Sequence, residues 1–406
     1  MGPHRNVDTL RNQLSMSVSS LYLHIPFCEH KCIYCDFYSV APSETRPEAE
    51  LPTKRFVESL KREIELRSRD ERFRVPYETI FLGGGTPSLL SIQELKEIFE
   101  TLTGSFFVEP DAEITIEVNP GTVDPEKFRA YRALGINRVS MGVQSFHEDD
   151  LRFLTRIHSS TQAKQCVRDA YAAGFENVSL DLMFSLPGQT RDRWVSNLKN
   201  AVELHPTHVS CYSLIVEPHT PLAKMVETRQ VSLLSIDQDA ELYESTIEFL
   251  AKSGFEQYEV SNFARPGFAS KHNKNYWNHS NYLGFGPSAH SFWRVDEADE
   301  SPGRWWNISS IVGYHEALDR DSLPVAGGER LSREQLLEEE IFLALRSEGV
   351  DVGGFQRRYG KDLLSNPASG LNDLISRNMA VLDGGRVRLT PRGYLVCDEI
   401  CASLRI

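Results

Sequence analysis

The amino-acid sequence predicts an α/β fold in which parallel strands surround one site. Between residues 21 and 215, six apolar strand-like segments alternate with amphipathic helical segments, a pattern typical of a parallel sheet covered by helices. Polar residues or glycines occur at the end of nearly every strand, as expected when the carboxyl ends of several strands meet around one site. Six units can also form a doubly wound sheet, but this distribution favours a barrel.

The predicted elements of this barrel follow one another in order. The first strand begins at Leu21 and leads into a cysteine-rich loop, and a polar, proline-rich linker follows at residues 42–52. The other five strands lie within residues 78–84, 112–120, 137–145, 177–188 and 208–215. The helices that precede them are predicted at residues 53–69, 91–102, 124–134 and 190–204, with helical stretches between 148 and 173.

The chain beyond the barrel has a different pattern. A helix is predicted at about 237–253, followed by a segment rich in aromatic, Asn and His residues and then by a turn-rich region at 296–328. The last part combines a helix at 332–347, two short helices, a hairpin at 379–390 and a closing helix, which is typical of a winged-helix-like α+β domain. The predicted division is a disordered leader at 1–20, the barrel at 21–220, a barrel extension at 221–330 and the C-terminal domain at 331–406.

Composition and charge narrow the classes of function. The chain has 406 residues, a formal net charge of -13 and a pI near 5.5, which argues against non-specific nucleic-acid binding. From residue 331 onward there are ten basic and eleven acidic residues, so a packing role for the C-terminal domain is favoured over DNA binding. No apolar run approaches the roughly 20 residues that a spanning helix needs. The leader lacks the apolar core of a secretion signal, and closely spaced thiols favour the cytosol.

The loop after the first strand carries three closely spaced cysteines. Cys28, Cys32 and Cys35 form a C-x3-C-x2-C array within LYLHIPFCEHKCIYCDFYS. Thiolates this close together gain most by sharing soft iron or zinc. A closed zinc site would need a fourth ligand, for which the loop offers only His30. A [4Fe–4S] cluster held by three cysteines is therefore favoured, and it leaves one iron open for a reactive cofactor.

This spacing is typical of the radical S-adenosylmethionine (radical SAM) superfamily. The flanking residues Tyr22, His24-Ile25-Pro26-Phe27 and Asp36-Phe37 resemble the branch that contains oxygen-independent coproporphyrinogen dehydrogenase and the HemW heme chaperones. The resemblance implies a partial (β/α)6 barrel with the cluster after its first strand. It also implies that an electron donor reduces the cluster, which then splits S-adenosylmethionine into methionine and a deoxyadenosyl radical.

The same resemblance assigns the residues that bind S-adenosylmethionine. A glycine turn, Gly83-Gly84-Gly85-Thr86-Pro87, follows the second strand, and glycines let a backbone approach a ligand closely. By resemblance Gly84, Gly85 and Thr86 bind the methionyl amino group. The other implied contacts come from Tyr22, Tyr34, Glu117, Gln144, Arg156 and Asp181. A structural ion pair inside its apolar strand is the less favoured alternative for Asp181.

A second motif, HNKNYW at 272–277, points to heme. A histidine beside large aromatic rings can ligate heme iron, although such a motif taken alone is more often a packed surface turn. It resembles the heme-binding motif HNxxYW of the HemW family, which implies that His272, Tyr276 and Trp277 bind heme. His290, in GFGPSAH, is the next candidate, with a structural role favoured.

The position two residues after the third cysteine separates two candidate functions. Dehydrogenases of this branch carry a fourth cysteine there, whereas this sequence has Phe37. We therefore expect a cytoplasmic heme chaperone that delivers heme to an acceptor, with a membrane respiratory protein among the candidates. The alternative is a porphyrin-acting radical SAM enzyme, either an oxygen-independent coproporphyrinogen III dehydrogenase or a heme-modifying methyltransferase.

Overall fold

Six strands between residues 19 and 213 form the centre of a twelve-stranded sheet. The computed structural model of the protein describes residues 19–42, 51–295, 301–366 and 369–404. The central strands are β1 (Ser19–Ile25), β2 (Pro76–Gly84), β3 (Phe107–Val118), β4 (Arg138–Gln144), β5 (Asn177–Phe184) and β6 (His208–Ser213). Each pairs in parallel with the next, so the prediction of six consecutive parallel strands is confirmed.

Helices connect these strands and cover the outside of the sheet. They are α1 (Thr53–Arg67), α2 (Ile92–Ser105), α3 (Pro125–Ala133), α4 (Glu148–Phe153), α5 (Ser160–Ala172) and α6 (Arg191–Glu203). Two of them begin with a capping box, formed by Ser91 with Glu94 and by Ser159 with Gln162, which satisfies backbone groups that a helix end leaves unpaired. The predicted helix positions are confirmed to within a few residues.

Six further strands extend the sheet on both sides. They are β7 (Glu256–Gln257), β8 (Asn262–Ala264), β9 (Asn281–Phe285), β10 (His290–Trp293), β11 (Gly303–Asn307) and β12 (Val325–Arg330). The order across the sheet is β12-β11-β10-β9-β1-β2-β3-β4-β5-β6-β8-β7. Strand β9 lies parallel to β1, whereas β10, β11 and β12 continue antiparallel. Within the described ranges the end strands β12 and β7 do not pair with each other, so the barrel is partial.

The structure differs from the sequence predictions in two regions. The turn-rich prediction for 296–328 is wrong over β11, β12 and the intervening helix α10 (Ile311–Asp319). A side chain at Gly327 would meet the ring of Trp306 at 2.7 Å, so this glycine permits close strand contact and does not mark a turn. The predicted leader at 1–20 extends too far, because Ser19 and Ser20 belong to β1. The rest of the leader and most of the linker (43–50) lie outside the described residues.

The remaining helices follow the barrel and form the last domain. They are α7 (Pro221–Glu227), α8 (Ile236–Lys252), α9 (Lys271–Trp277), α11 (Arg333–Leu345), α12 (Val352–Tyr359), α13 (Leu371–Ser376), α14 (Pro391–Tyr394) and α15 (Cys397–Ser403). Strands β13 (Val350–Asp351), β14 (Ala380–Asp383) and β15 (Arg386–Leu389) form a small antiparallel sheet. Together with α11 to α15 this sheet encloses its own hydrophobic core, as expected for a winged-helix-like module. No described helix is long and apolar enough to cross a bilayer.

The alternation of side chains along the strands creates the interior of the barrel. In β1, Leu21, Leu23 and Ile25 are fully buried in the hydrophobic core. Successive residues of a strand point to opposite faces, so Tyr22 and His24 face the other way, toward the space that the strands surround. The same alternation in β3, β4 and β5 directs one row of polar side chains into this interior, where they line a cavity.

Candidate cluster, cofactor and heme site

A cavity of about 390 Å³ lies at the carboxyl ends of the parallel strands. The structure brings eleven of the predicted site residues to its wall: Cys28, Cys32, Tyr34, Cys35, Gly84, Gly85, Thr86, Glu117, Gln144, Arg156 and Asp181. We call this space the cofactor cavity. Its lining comes from the loops and strand ends of β1 to β6, which is the arrangement that the distribution of polar residues predicted.

The cysteine loop is fixed by backbone hydrogen bonds at both ends. The Cys28 N–H donates to the Val40 carbonyl at 3.0 Å, and the Val40 N–H donates to the Pro26 carbonyl at 2.6 Å. All three cysteines are half-buried and free of disulfides. In the described part of the chain, no three His, Cys, Asp or Glu side chains lie close enough to share one metal ion. A cubic cluster does not require such convergence, because each thiolate binds a different iron.

The electrostatic surroundings of the thiols fit a bound cationic centre. Burial raises the pKa of the Cys35 thiol to about 11 and also raises the pKa of Cys28, so neighbouring positive charge is needed to stabilise thiolates here. The Arg156 Nη1 atom lies 3.5 Å from Cys32 Sγ. The Arg156 Nε atom is buried and has no partner among the described residues, which leaves it available to an anionic ligand.

The glycine turn is tied directly to the start of the cysteine loop. The Gly85 N–H donates to the Ile25 carbonyl at 2.9 Å, and the Thr86 N–H donates to the Phe27 carbonyl at 2.7 Å. Gly84 has a φ of 106°, a conformation that favours glycine, and its N–H donates to Glu117 Oε2 at 3.1 Å. These bonds hold the predicted cluster ligands and cofactor ligands in one rigid unit.

Two buried carboxyl groups, Glu117 on β3 and Asp181 on β5, line the cofactor cavity. Burial, followed by the charge of Asp181, raises the pKa of Glu117 to about 8. Burial likewise raises the pKa of Asp181, although Ser140 donates a hydrogen bond to it at 3.1 Å. Paired buried carboxyls are costly without a donor. A ligand that offers ammonium or hydroxyl groups would supply further donors besides Gly84 and Ser140, and S-adenosylmethionine carries both.

We expect Glu117→Gln to change the pH dependence of stability. The raised pKa means that the folded protein holds a proton on Glu117 between pH 4.5 and about 8, where the unfolded chain has lost it. The free energy of unfolding of the unliganded protein therefore falls as pH rises through this window. Glutamine cannot titrate, so the variant should gain about 1–3 kcal/mol relative to the parent between pH 5 and pH 8. Urea unfolding at several pH values measures this gain.

The exposed Glu126 on α3 offers a matched control for this experiment. Glu126→Gln removes one carboxylate without touching the cavity, so its stability relative to the parent should stay constant across the same pH range. A Glu117→Gln curve that runs parallel to the parent curve would contradict the buried, protonated state of Glu117.

A second cavity of about 490 Å³ adjoins the first. Both are lined by Phe37, Gly84 and Glu117. The remaining walls of the second cavity are mostly aromatic or imidazole side chains: Tyr22, His24, Tyr38, Tyr276, Tyr282 and His290. We call it the aromatic cavity. Tyr22, which we predicted to contact S-adenosylmethionine, lines this second space, where its hydroxyl lies 3.1 Å from His24 Nδ1.

The HNxxYW motif lies on α9, behind the aromatic cavity. His272 is only 1% exposed and stacks on Phe81 at 4.9 Å. Its Nδ1 lies 2.7 Å from Thr79 Oγ1, and its Nε2 lies 3.2 Å from the hydroxyl of Tyr276. Of the three predicted heme residues, only Tyr276 reaches the cavity wall; Trp277 is half-buried and lines neither cavity. The heme role of this motif stays a prediction.

The sequence analysis missed several residues that line the cofactor cavity. Asn119 and Met183 each lie two positions after a predicted residue, Glu117 and Asp181. The period of two along a strand could have identified them. Tyr212, at the end of β6, is 40% exposed on the rim, and no motif indicated it.

Comparisons with known proteins agree with this architecture. The family model of the radical SAM superfamily matches residues 22–200, and that of the HemN C-terminal domain matches residues 331–396. Coproporphyrinogen III oxidase (HemN) from Escherichia coli has a similar structure, with a TM-score of 0.80 over 98% of this chain and 93% of that chain. Its sequence identity is 23%, so this likeness concerns the fold alone.

Proteins related in sequence identify the family more specifically. The heme chaperone HemW of Bacillus subtilis is 34% identical over 385 residues, which cover 94% of this chain and 98% of that protein. The heme chaperone HemW of Mycobacterium tuberculosis is 36% identical over 95% of this chain and 94% of its own length. The chain therefore belongs to the HemW family of heme chaperones, within the radical SAM superfamily.

Proposed function

We propose that this protein is a heme chaperone that binds heme in the aromatic cavity and transfers it to an acceptor protein. The observation that carries the proposal is the aromatic cavity itself, whose walls present four tyrosines, two histidines and Phe37. A planar macrocycle can stack on such rings, and a volume of about 490 Å³ lies within the range of small-molecule sites. Relatives named heme chaperone HemW match this chain over nearly its whole length.

The cofactor cavity would hold a [4Fe–4S] cluster and S-adenosylmethionine. In this proposal Cys28, Cys32 and Cys35 hold the cluster, and the glycine turn with Glu117, Gln144, Arg156, Asp181 and Tyr34 holds the sulfonium cofactor. When bound, these groups supply reductive cleavage of a carbon–sulfur bond. The chain's own contribution is to orient the ligands, to exclude water and to pair the Arg156 guanidinium with negative charge.

The partners follow from this function. The chaperone would need an electron donor for the cluster and a heme acceptor, for which a membrane respiratory protein is a candidate. We propose the cytosol as its compartment, because unpaired thiols persist there.

A second candidate function rests on the wall that the two cavities share. Because Gly84 and Glu117 line both spaces, a porphyrin in the aromatic cavity would lie beside the cofactor. A radical SAM enzyme that decarboxylates or methylates a porphyrin needs this proximity. Phe37 counts against the dehydrogenase, because the dehydrogenases carry a cysteine at this position.

Two anaerobic assays on the reconstituted full-length protein separate these functions. For the chaperone we expect stoichiometric heme binding with a distinct Soret band, followed by transfer of the bound heme to an apo-hemoprotein. With coproporphyrinogen III, S-adenosylmethionine and a reductant, we expect no decarboxylated product. Absence of heme binding would overturn the chaperone proposal, and turnover of coproporphyrinogen III would establish the enzyme.

A further inference from the structure

The aromatic cavity contains a second histidine whose ring is free to bind iron. His290 is the first residue of β10, is exposed and lines the cavity. Neither of its ring nitrogens has a hydrogen-bond partner among the described residues. It therefore differs from His24 and His272, whose ring nitrogens are both within hydrogen-bond distance of protein atoms.

The orientation of the His290 ring is fixed from the adjacent strand. His290 pairs with Trp306 across β10 and β11, and the two rings stack with centroids 5.9 Å apart and an angle of 28° between their planes. Stacking on Trp306 restricts the orientation of the imidazole ring. A neutral imidazole is the form of histidine that ligates iron.

The loop that carries His290 is anchored in the buried core. The Gly286 N–H donates to Glu63 Oε2 at 2.8 Å, and Asn307 Nδ2 donates to the Gly286 carbonyl at 2.8 Å. The Asn307 N–H donates to the Ala289 carbonyl at 2.9 Å. Glu63 is itself held by an ion pair with Arg67 at 2.9 Å, in which both side chains are almost fully buried. His290 is thus presented on a preorganised loop, which lowers the cost of binding a ligand.

His272 would have to rearrange before it could bind iron. Both of its ring nitrogens are occupied, and its backbone N–H donates to the buried Glu113 carboxylate at 3.1 Å. Freeing the ring would leave Thr79 and Tyr276 without this partner, and an unsatisfied buried polar group is costly. In this conformation, the His272 side chain affects the cavity by positioning the hydroxyl of Tyr276.

We propose that His290 would bind the heme iron in the aromatic cavity, and that His272 is a positioning residue that acts through Tyr276. The inference rests on the proposed heme function and names the ligand within that same site. Tyr22, Tyr276 and Tyr282 would then contact the macrocycle, and Trp306 would hold the ligating ring from behind.

Heme titration of three variants and the parent protein tests this assignment. We expect His290→Ala to weaken heme affinity at least about tenfold and to shift the Soret band and the electron paramagnetic resonance of ferric heme. Added imidazole should restore the parent spectrum, because it replaces the lost ligand. His272→Gln should weaken binding less and keep the parent spectrum, and His219→Gln, at an exposed residue outside both cavities, should match the parent.

The outcomes distinguish this assignment from the proposed function. If the parent does not bind heme, the chaperone proposal fails. If the parent binds heme and His290→Ala keeps its affinity and spectrum, or imidazole does not restore the spectrum, His290 is not the ligand. The iron–sulfur absorption of each variant serves as the folding control, since the cysteines lie on the other cavity.

Discussion

Replacing Cys32 by alanine is expected to reduce cluster-bound iron and sulfide to background. The C-x3-C-x2-C array offers three thiolates to the cluster, and removal of one leaves too few ligands to hold a cubic assembly. The loss also deprives the Arg156 guanidinium of its sulfur neighbour at 3.5 Å. After anaerobic reconstitution, the parent should contain about four irons per chain, with visible cluster absorption that is absent from the variant.

Cys166→Ala is the matched control for this prediction. Cys166 is 4% exposed and belongs to the hydrophobic core of the barrel, away from the cofactor cavity. Its replacement removes one thiol at a cost of about 1 kcal/mol of stability and should leave iron and sulfide unchanged. Retention of the full cluster in Cys32→Ala, or zinc in place of iron in the parent, would contradict the assignment.

The barrel could be predicted from sequence because its signals are local and repeated. Strands such as Asn177–Phe184 are rich in apolar residues, and each is flanked by an amphipathic helix. A parallel sheet requires this pattern. The position of Glu117 and Asp181 in the interior then follows from the period of two along each strand.

The sheet extension could not be predicted in the same way. Strand β9 has five residues and contains a glycine, and its pairing with β1 joins segments more than 250 residues apart. No local periodicity carries that information. Glycines of β12 that resemble turn residues are required for close contact with the Trp305–Trp306 strand, so composition alone indicated the wrong structure.

The HNxxYW motif shows a related limit. The letters HNxxYW place His272 and Tyr276 four residues apart, and therefore on one face of a helix. They do not show that α9 lies behind the cavity wall, with His272 stacked on Phe81 and only Tyr276 exposed to the cavity. Which side of a helix faces a site is decided by the strands against which it packs, and that is a tertiary property.

Gly85→Ala is expected to lower both stability and cluster content. A methyl group at this position would lie 2.6 Å from the Phe27 carbonyl oxygen and 2.8 Å from that of Ile25. Both are backbone atoms, so relief requires movement of the chain that leads into Cys28. We expect a loss of about 2–4 kcal/mol in the free energy of unfolding, measured by urea denaturation, together with incomplete reconstitution of the cluster.

Gly104→Ala separates this steric effect from the general effect of replacing a glycine. Gly104 is exposed near the end of α2, and a methyl group there would meet no atom within 4 Å. Alanine favours a helix more than glycine does, so this variant should gain up to about 1 kcal/mol. The two variants therefore differ in the sign of the stability change, and only Gly85→Ala should affect the iron content. Equal stability and full cluster content in both variants would show that the glycine turn does not set the position of the cysteine loop.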